Sequence, residues 1–167
     1  MKAWKTRPIE RKDNEAIAHI IRTVLTEFKA NQPGTAFTDS ATDNLFDLFS
    51  VPGSMYRIVE EDGWVVGGGG IYPTEGLPAG HCELVKLYLL PETRGKGIGR
   101  ALIEECFTAA REFGNTHMYL ESMSELGEAV TLYEKLGFHK VTSPLGCTGH
   151  FACDIWMLKE LSNDSHP

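Results

Sequence analysis

The chain has 167 residues, 42 % of them apolar, which suits one soluble domain with a proper core. Its formal charge of −7, with no dense basic cluster, argues against nucleic acid and modestly favours cationic partners. The apolar runs are too short for a bilayer and no signal-peptide pattern opens the chain, so Cys82, Cys106, Cys147 and Cys153 read as reduced thiols of a cytoplasmic protein.

No repeat, low-complexity tract or linker divides the sequence, so residues 1–167 are expected to form a single domain, with 160–167 a frayed tail. Residues 4–9 suggest a first strand. Asp13 is placed to cap a helix whose apolar face is Ile17, Ile20, Ile21, Val24, Leu25 and Phe28. After a turn at 31–34, Leu45, Phe46 and Phe49 mark a shorter second helix. Phe37 and Phe46 read better as core than as substrate contacts, since aromatic residues at helical spacing usually face inward. Two strands, 56–60 and 64–72, form a hairpin across Asp62-Gly63. Four glycines, 67–70, weaken the second of these and predict a bulge or a close backbone approach. A loop at 73–80 then leads to a strand over 82–90.

Pro91 ends that strand, and Arg94-Gly95-Lys96-Gly97-Ile98-Gly99 follows, with a helix opening at once. Alternate glycines leave successive backbone N–H groups open, and the helix N-terminus adds its positive dipole end, so the loop suits a phosphate or pyrophosphate. It is not a P-loop, for no lysine is followed by a hydroxyl residue at the required spacing. A dinucleotide fingerprint fails because Leu102 or Arg100 falls where its third glycine belongs, although Glu121 lies at a distance suited to a ribose-binding acid. The pattern Arg-x-x-Gly-x-Gly fits in full. The helix carries Ile98, Leu102, Ile103, Phe107, Ala110 and Phe113 on one face and stops at Gly114. A strand over 116–121, a helix bearing Ala129, Leu132, Tyr133 and Leu136, and strands over 138–141 and 151–158 complete the chain. Cys147, His150 and Cys153 have a spacing that could hold a metal. With no fourth ligand evident, they read instead as a loop entering the last strand.

Two separated signatures, Leu87 to Gly99 with its helix and Ala129-Val-Thr-Leu-Tyr133-Glu-Lys-Leu-Gly-Phe138, resemble the GNAT superfamily of Gcn5-related N-acetyltransferases. The resemblance implies an α/β (α+β) domain whose mixed, mainly antiparallel sheet splays at the cofactor site, flanked by about four helices. It implies acetyl-CoA as cosubstrate, no metal, and an amine acceptor (a small molecule, a polyamine or a protein amine) attacking directly in a ternary complex. No membrane is implied, and a homodimer is compatible.

The same resemblance places the thioester carbonyl against backbone N–H groups near Leu87, Tyr88 and Leu89. The loop residues Arg94, Gly95, Lys96, Gly97, Ile98, Gly99 and Arg100 would surround the pyrophosphate. Glu83, four residues before Leu87 and expected on the same face by the two-residue strand period, is the candidate general base, with Glu121 and His81 as alternatives. Tyr133 aligns with the superfamily tyrosine that protonates the departing thiolate. A phenol of pKa near ~10 stays protonated at neutral pH and can serve a thiolate near ~8.5. Leu126 stands where many members have a coenzyme-A-binding asparagine, so that contact is not carried over. A non-catalytic acyl-CoA-binding module and a nicotinamide enzyme using Glu121 are the competing readings.

Overall fold

In the computed structural model, which describes residues 3–161, the strand-forming segments pair into one sheet. They are β1 (Trp4–Pro8), β2 (Met55–Glu61), β3 (Trp64–Tyr72), β4 (His81–Leu89), β5 (His117–Ser122), β6 (His139–Val141) and β7 (Ile155–Glu160). Their spatial order is β1-β2-β3-β4-β5-β7-β6, and β4 against β5 is the one parallel pair among them. The α-helices are α1 (Asn14–Glu27), the single turn α2 (Leu45–Leu48), α3 (Ile98–Glu112) and α4 (Gly127–Lys135). The architecture is mixed α/β, as expected.

Successive strand residues face opposite sides, and β2 shows what each side buries. Ile58 meets Ile17, Ile21 and Leu25 of α1, whereas Val59 meets Ile98 and Leu102 of α3. Beyond α3, Ile103, Cys106, Val130 and Tyr133 pack on Leu84, Met118 and Met157. The four glycines of β3 are buried between these layers. A Cβ on Gly68 would meet the Tyr56 ring at 2.7 Å, and on Gly70 it would strike the Met55 carbonyl, so side chains are excluded where neighbouring strands come close. The β3–β4 register also shifts between Gly68 and Gly70, so the predicted bulge and close approach are both present.

Three expectations need correction. Asp13 stands at the cap position of α1, but its carboxylate does not cap that helix. It accepts two bonds from the Arg7 guanidinium, at 2.7 and 2.8 Å, and one from the Glu10 amide at 2.7 Å, because a buried carboxylate gains more from a bidentate ionic pair. Phe113 is 48 % exposed, since it lies past the last turn of α3 and off its buried stripe. The last strand begins at Ile155, not at residue 151. Turn bonds from the Cys153 amide to His150 and from the Asp154 amide to Ser122 hold the segment before it out of the ladder.

The feature that shapes the site is a divergence. β4 pairs with β5 only over His81–Glu83 against His117–Tyr119, and the two strands then separate. Lys86, at φ 51°, interrupts β4 just beyond that point. The expected tail, residues 162–167, lies outside the described residues. No helix among the described residues is long and apolar enough to cross a membrane.

Candidate active site

Where β4 and β5 part, they leave a cleft of about 350 Å³. Leu87, Tyr88 and Leu89 line one wall, Leu120 and Glu121 the other, with α4 and the glycine loop across its ends. Past Glu83 the β5-facing edge of β4 has no strand partner, so its backbone donors are free for a ligand. Gly95 and Gly97 hold φ values of 75° and 78°, and no protein atom lies within 4 Å of where a Cβ would stand. The loop amides are therefore open, and Gly97 is the cap of the 15-residue α3, whose dipole end adds to them. These residues fit a phosphate-bearing cofactor with an extended arm.

The loop's cations are less free than the sequence suggests. Arg94 bonds Glu27 at 2.8 and 2.9 Å and the Leu89 carbonyl at 2.9 Å. Lys96 bonds Glu61 at 2.7 Å, and Arg100 bonds Glu104 at 3.1 Å. Arg94 thus ties the end of β4 to α1, and the backbone amides carry the burden of anion binding.

Tyr133 is 8 % exposed and packs edge-on to Phe138 with ring centroids 5.9 Å apart, yet it also lines the cleft. No described residue hydrogen-bonds its hydroxyl. Every fully enclosed side-chain polar atom among the described residues does have a partner, so this oxygen has access to the cleft. Burial, reinforced by Cys106, pushes its pKa well above the ordinary phenol value, so the proton stays on.

A second cavity, of about 370 Å³, opens on the other face of β4 between Asp39, Phe49, Tyr72, Thr74, Glu83 and the 147–150 segment. Glu83 is 5 % exposed and accepts a 2.9 Å bond from the Thr74 hydroxyl. Burial, and then the charge of Glu121, push its pKa up to about 8. Lys86 Nζ and His150 Nε2 both lie 3.3 Å from Asp39 Oδ2. Burial alone would raise Asp39, but Lys86, the Ala41 amide and His150 outweigh it and hold the carboxylate below its usual range. Glu121 accepts bonds from the Tyr119 hydroxyl (2.7 Å) and from the Thr148 hydroxyl. A small space of about 60 Å³ links the regions, sharing Leu84, Tyr88 and Glu121 with the cleft and Glu83, Val85 and His150 with the second cavity.

Glu83 and Leu87 do not share a face, contrary to the two-residue period. Glu83 and Val85 border the second cavity, while Leu84 and Leu87 pack in the cluster of α3 and α4. The interruption at Lys86 inserts an extra residue and reverses the alternation. His81 lines neither cavity; it stacks on His117 at 4.4 Å at the other end of β4. Phe37 packs against the α1 cluster and Phe46 lies under Arg11. Leu126 lines the cleft. Cys147 is exposed, Cys153 half-buried, and His150 is engaged by Asp39. The sequence reading missed Asp39, Thr74, Thr148 and His150, which come from three distant loops with no shared spacing. Lys86, inside an apolar strand, was a signal that could have been used.

A model of the acetyltransferase (GNAT) family matches residues 17–138. The uncharacterised N-acetyltransferase YjgM of Escherichia coli (strain K12) is 44 % identical over 156 residues, spanning 93 % of this chain and 93 % of the relative. A GNAT-family acetyltransferase from Staphylococcus aureus MU50 superimposes with a TM-score of 0.84 at 16 % identity, over 96 % of this chain and 100 % of its own. YncA of Salmonella typhimurium, solved with its cofactor acetyl-CoA, gives a TM-score of 0.75 at 23 % identity over 99 % of this chain and 98 % of its own. The two structural likenesses concern the fold.

Proposed function

Because the chain belongs to the acetyltransferase (GNAT) family, whose members are acetyl-CoA-dependent acyltransferases, we propose that it acetylates a primary amine by direct attack in a ternary complex. The observation that carries this reading is the connection between the two cavities. The cofactor cleft communicates, through the space beside Tyr88 and Glu121, with a pocket whose inner wall is the buried carboxylate of Glu83.

Bound acetyl-CoA would supply an electrophilic thioester carbonyl; the chemistry left to the protein is positioning and proton movement. Backbone amides of Leu87–Leu89, freed where β4 leaves β5, would hold the carbonyl oxygen and stabilise charge gathering there. Glu83 would take the proton of the incoming ammonium, which has no lone pair until it loses one. A carboxyl with a pKa of about 8 is a stronger base than an ordinary glutamate, and it becomes available as pH rises through 8. Tyr133 would deliver its proton to the leaving sulfur. The nitrogen–carbon bond forms, the carbon–sulfur bond breaks, and one proton enters at Glu83 as another leaves from Tyr133.

A thiol-release assay with acetyl-CoA and a panel of amines, with mass spectrometry of the products, tests the proposal. N-acetylated product and free coenzyme A in equal amounts are expected. Hydrolysis of acetyl-CoA with no acetylated amine would overturn it.

A further inference from the structure

We propose that the second cavity selects a small linear diamine, one ammonium placed at Glu83 and the other at Glu75, and disfavours acceptors that carry a carboxylate. The inference rests on the reading of this cavity as the acceptor pocket and narrows the class of amine it takes.

The argument begins with charges that are already spent. Lys86, whose side chain is 6 % exposed, and His150 both engage the same oxygen of Asp39. These are the basic side chains lining the cavity, so an anionic group on an acceptor would have to displace Asp39 to find a cation. The acidic side is not spent. Glu83 is nine-tenths buried, and one of its oxygens takes the Thr74 bond while the other has no protein partner. Since no enclosed polar atom among the described residues lacks a partner, that second oxygen reaches the cavity space. Glu121 lies against the connecting space with hydroxyl partners but no cation of its own. Glu75, exposed at the rim, lines the same cavity as Glu83.

Spacing and shape then favour a short dication. Glu75 directly follows Thr74, the residue that bonds Glu83, so the two carboxylates are separated by one hydrogen bond and one peptide step. Between them the wall is apolar, formed by Leu48, Phe49, Tyr72 and Val85, with Tyr72 edge-on to Phe49 at 5.7 Å. A methylene chain suits that wall and an ammonium suits each end. The overall charge of −7 adds a long-range attraction for cations.

The test is equilibrium titration of the coenzyme-A-bound protein with 1,4-diaminobutane, butylamine and 4-aminobutanoate, which share a stem and differ in the far group. The diamine should bind about ten-fold more tightly than butylamine, the size of one added charge-assisted hydrogen bond, and 4-aminobutanoate should bind most weakly. E75Q should bring the diamine to within about three-fold of butylamine. Equal affinities for diamine and butylamine, preference for 4-aminobutanoate, or no saturable diamine binding would each overturn the inference. Thiol release measured on the same samples separates the two claims. Diamine binding without transfer would sink the acetylation reading and leave this one standing, whereas transfer with a monoamine preference would do the reverse.

Discussion

The Tyr56 hydroxyl, carried on β2, donates a 2.7 Å hydrogen bond across β3 to the backbone carbonyl of Lys86, the residue at which β4 loses its regular alternation. Lys86 has φ 51°, a left-handed conformation that a lysine adopts only when its surroundings hold it there. Tyr56 can reach it because the intervening residues, Gly68 and Gly70, have no side chains in the way. The bond therefore links the glycine run of β3 to the opening of the cofactor cleft.

Tyr56→Phe keeps the ring but removes that donor. The expected cost is about 1–3 kcal/mol of stability, since the Lys86 carbonyl loses a partner in a buried setting. Acetyl-CoA affinity should fall as well, because the free amides of Leu87–Leu89 depend on the geometry just before them. Denaturant melts and cofactor titration on one preparation check both; a stability loss with unchanged cofactor binding would detach the bulge from the cleft.

Gly97→Val should weaken acetyl-CoA binding more than about ten-fold. The reason lies in the backbone and not in crowding: the added Cβ would meet nothing within 4 Å, but φ 78° is closed to a β-branched residue. The loop would have to turn its amides elsewhere. Isothermal titration of a folded variant decides the matter, and unchanged affinity would remove the loop from the cofactor site.

Glu83→Gln separates chemistry from stability. The rate at neutral pH should fall by about 10²-fold, with the deficit shrinking at high pH where free amine is abundant. Stability should move the other way. The carboxyl titrates at about 8 in the folded protein and near ~4.3 when unfolded, so the folded state holds the extra proton between these values. Its contribution is fully present below the lower value and lost as pH rises through the upper. The variant should therefore melt with wild type at pH 4 and several degrees above it at pH 9. A melting difference independent of pH would show that Glu83 is not held in its neutral form.

Much of the frame was readable beforehand because its signals are local. The glycine loop, the Asp62-Gly63 hairpin and the apolar stripes of α1 and α3 each lie within one stretch of chain. The acceptor pocket was not readable, since Asp39, Thr74 and His150 converge only through the packing of three loops on β4. The pairing of Arg94 with Glu27 and of Lys96 with Glu61 was hidden for the same reason. Glu83 was found, but on the wrong face relative to Leu87. The two-residue period holds only in an unbroken strand, and nothing in the residues around Lys86 announces that a lysine will take a left-handed turn there.

Tyr133→Phe tests whether that side chain takes part in the reaction or only in the core. The substitution keeps the ring against Phe138 and the α3–α4 cluster and deletes a hydroxyl that no described residue bonds. Folding should hardly change, with the melting temperature within a degree or two of wild type. If the hydroxyl protonates the departing sulfur, coenzyme A binding persists while kcat and kcat/KM fall together by about 10²-fold. The raised phenol pKa adds a second signature. A proton held this firmly is not lost over the working range, so no Tyr133 limb should appear in the wild-type pH–rate profile below about pH 10. Single-turnover acetyl transfer by the two proteins, followed by stopped flow, is the deciding measurement. Equal rates would assign Tyr133 to packing alone and leave proton delivery to water in the cleft.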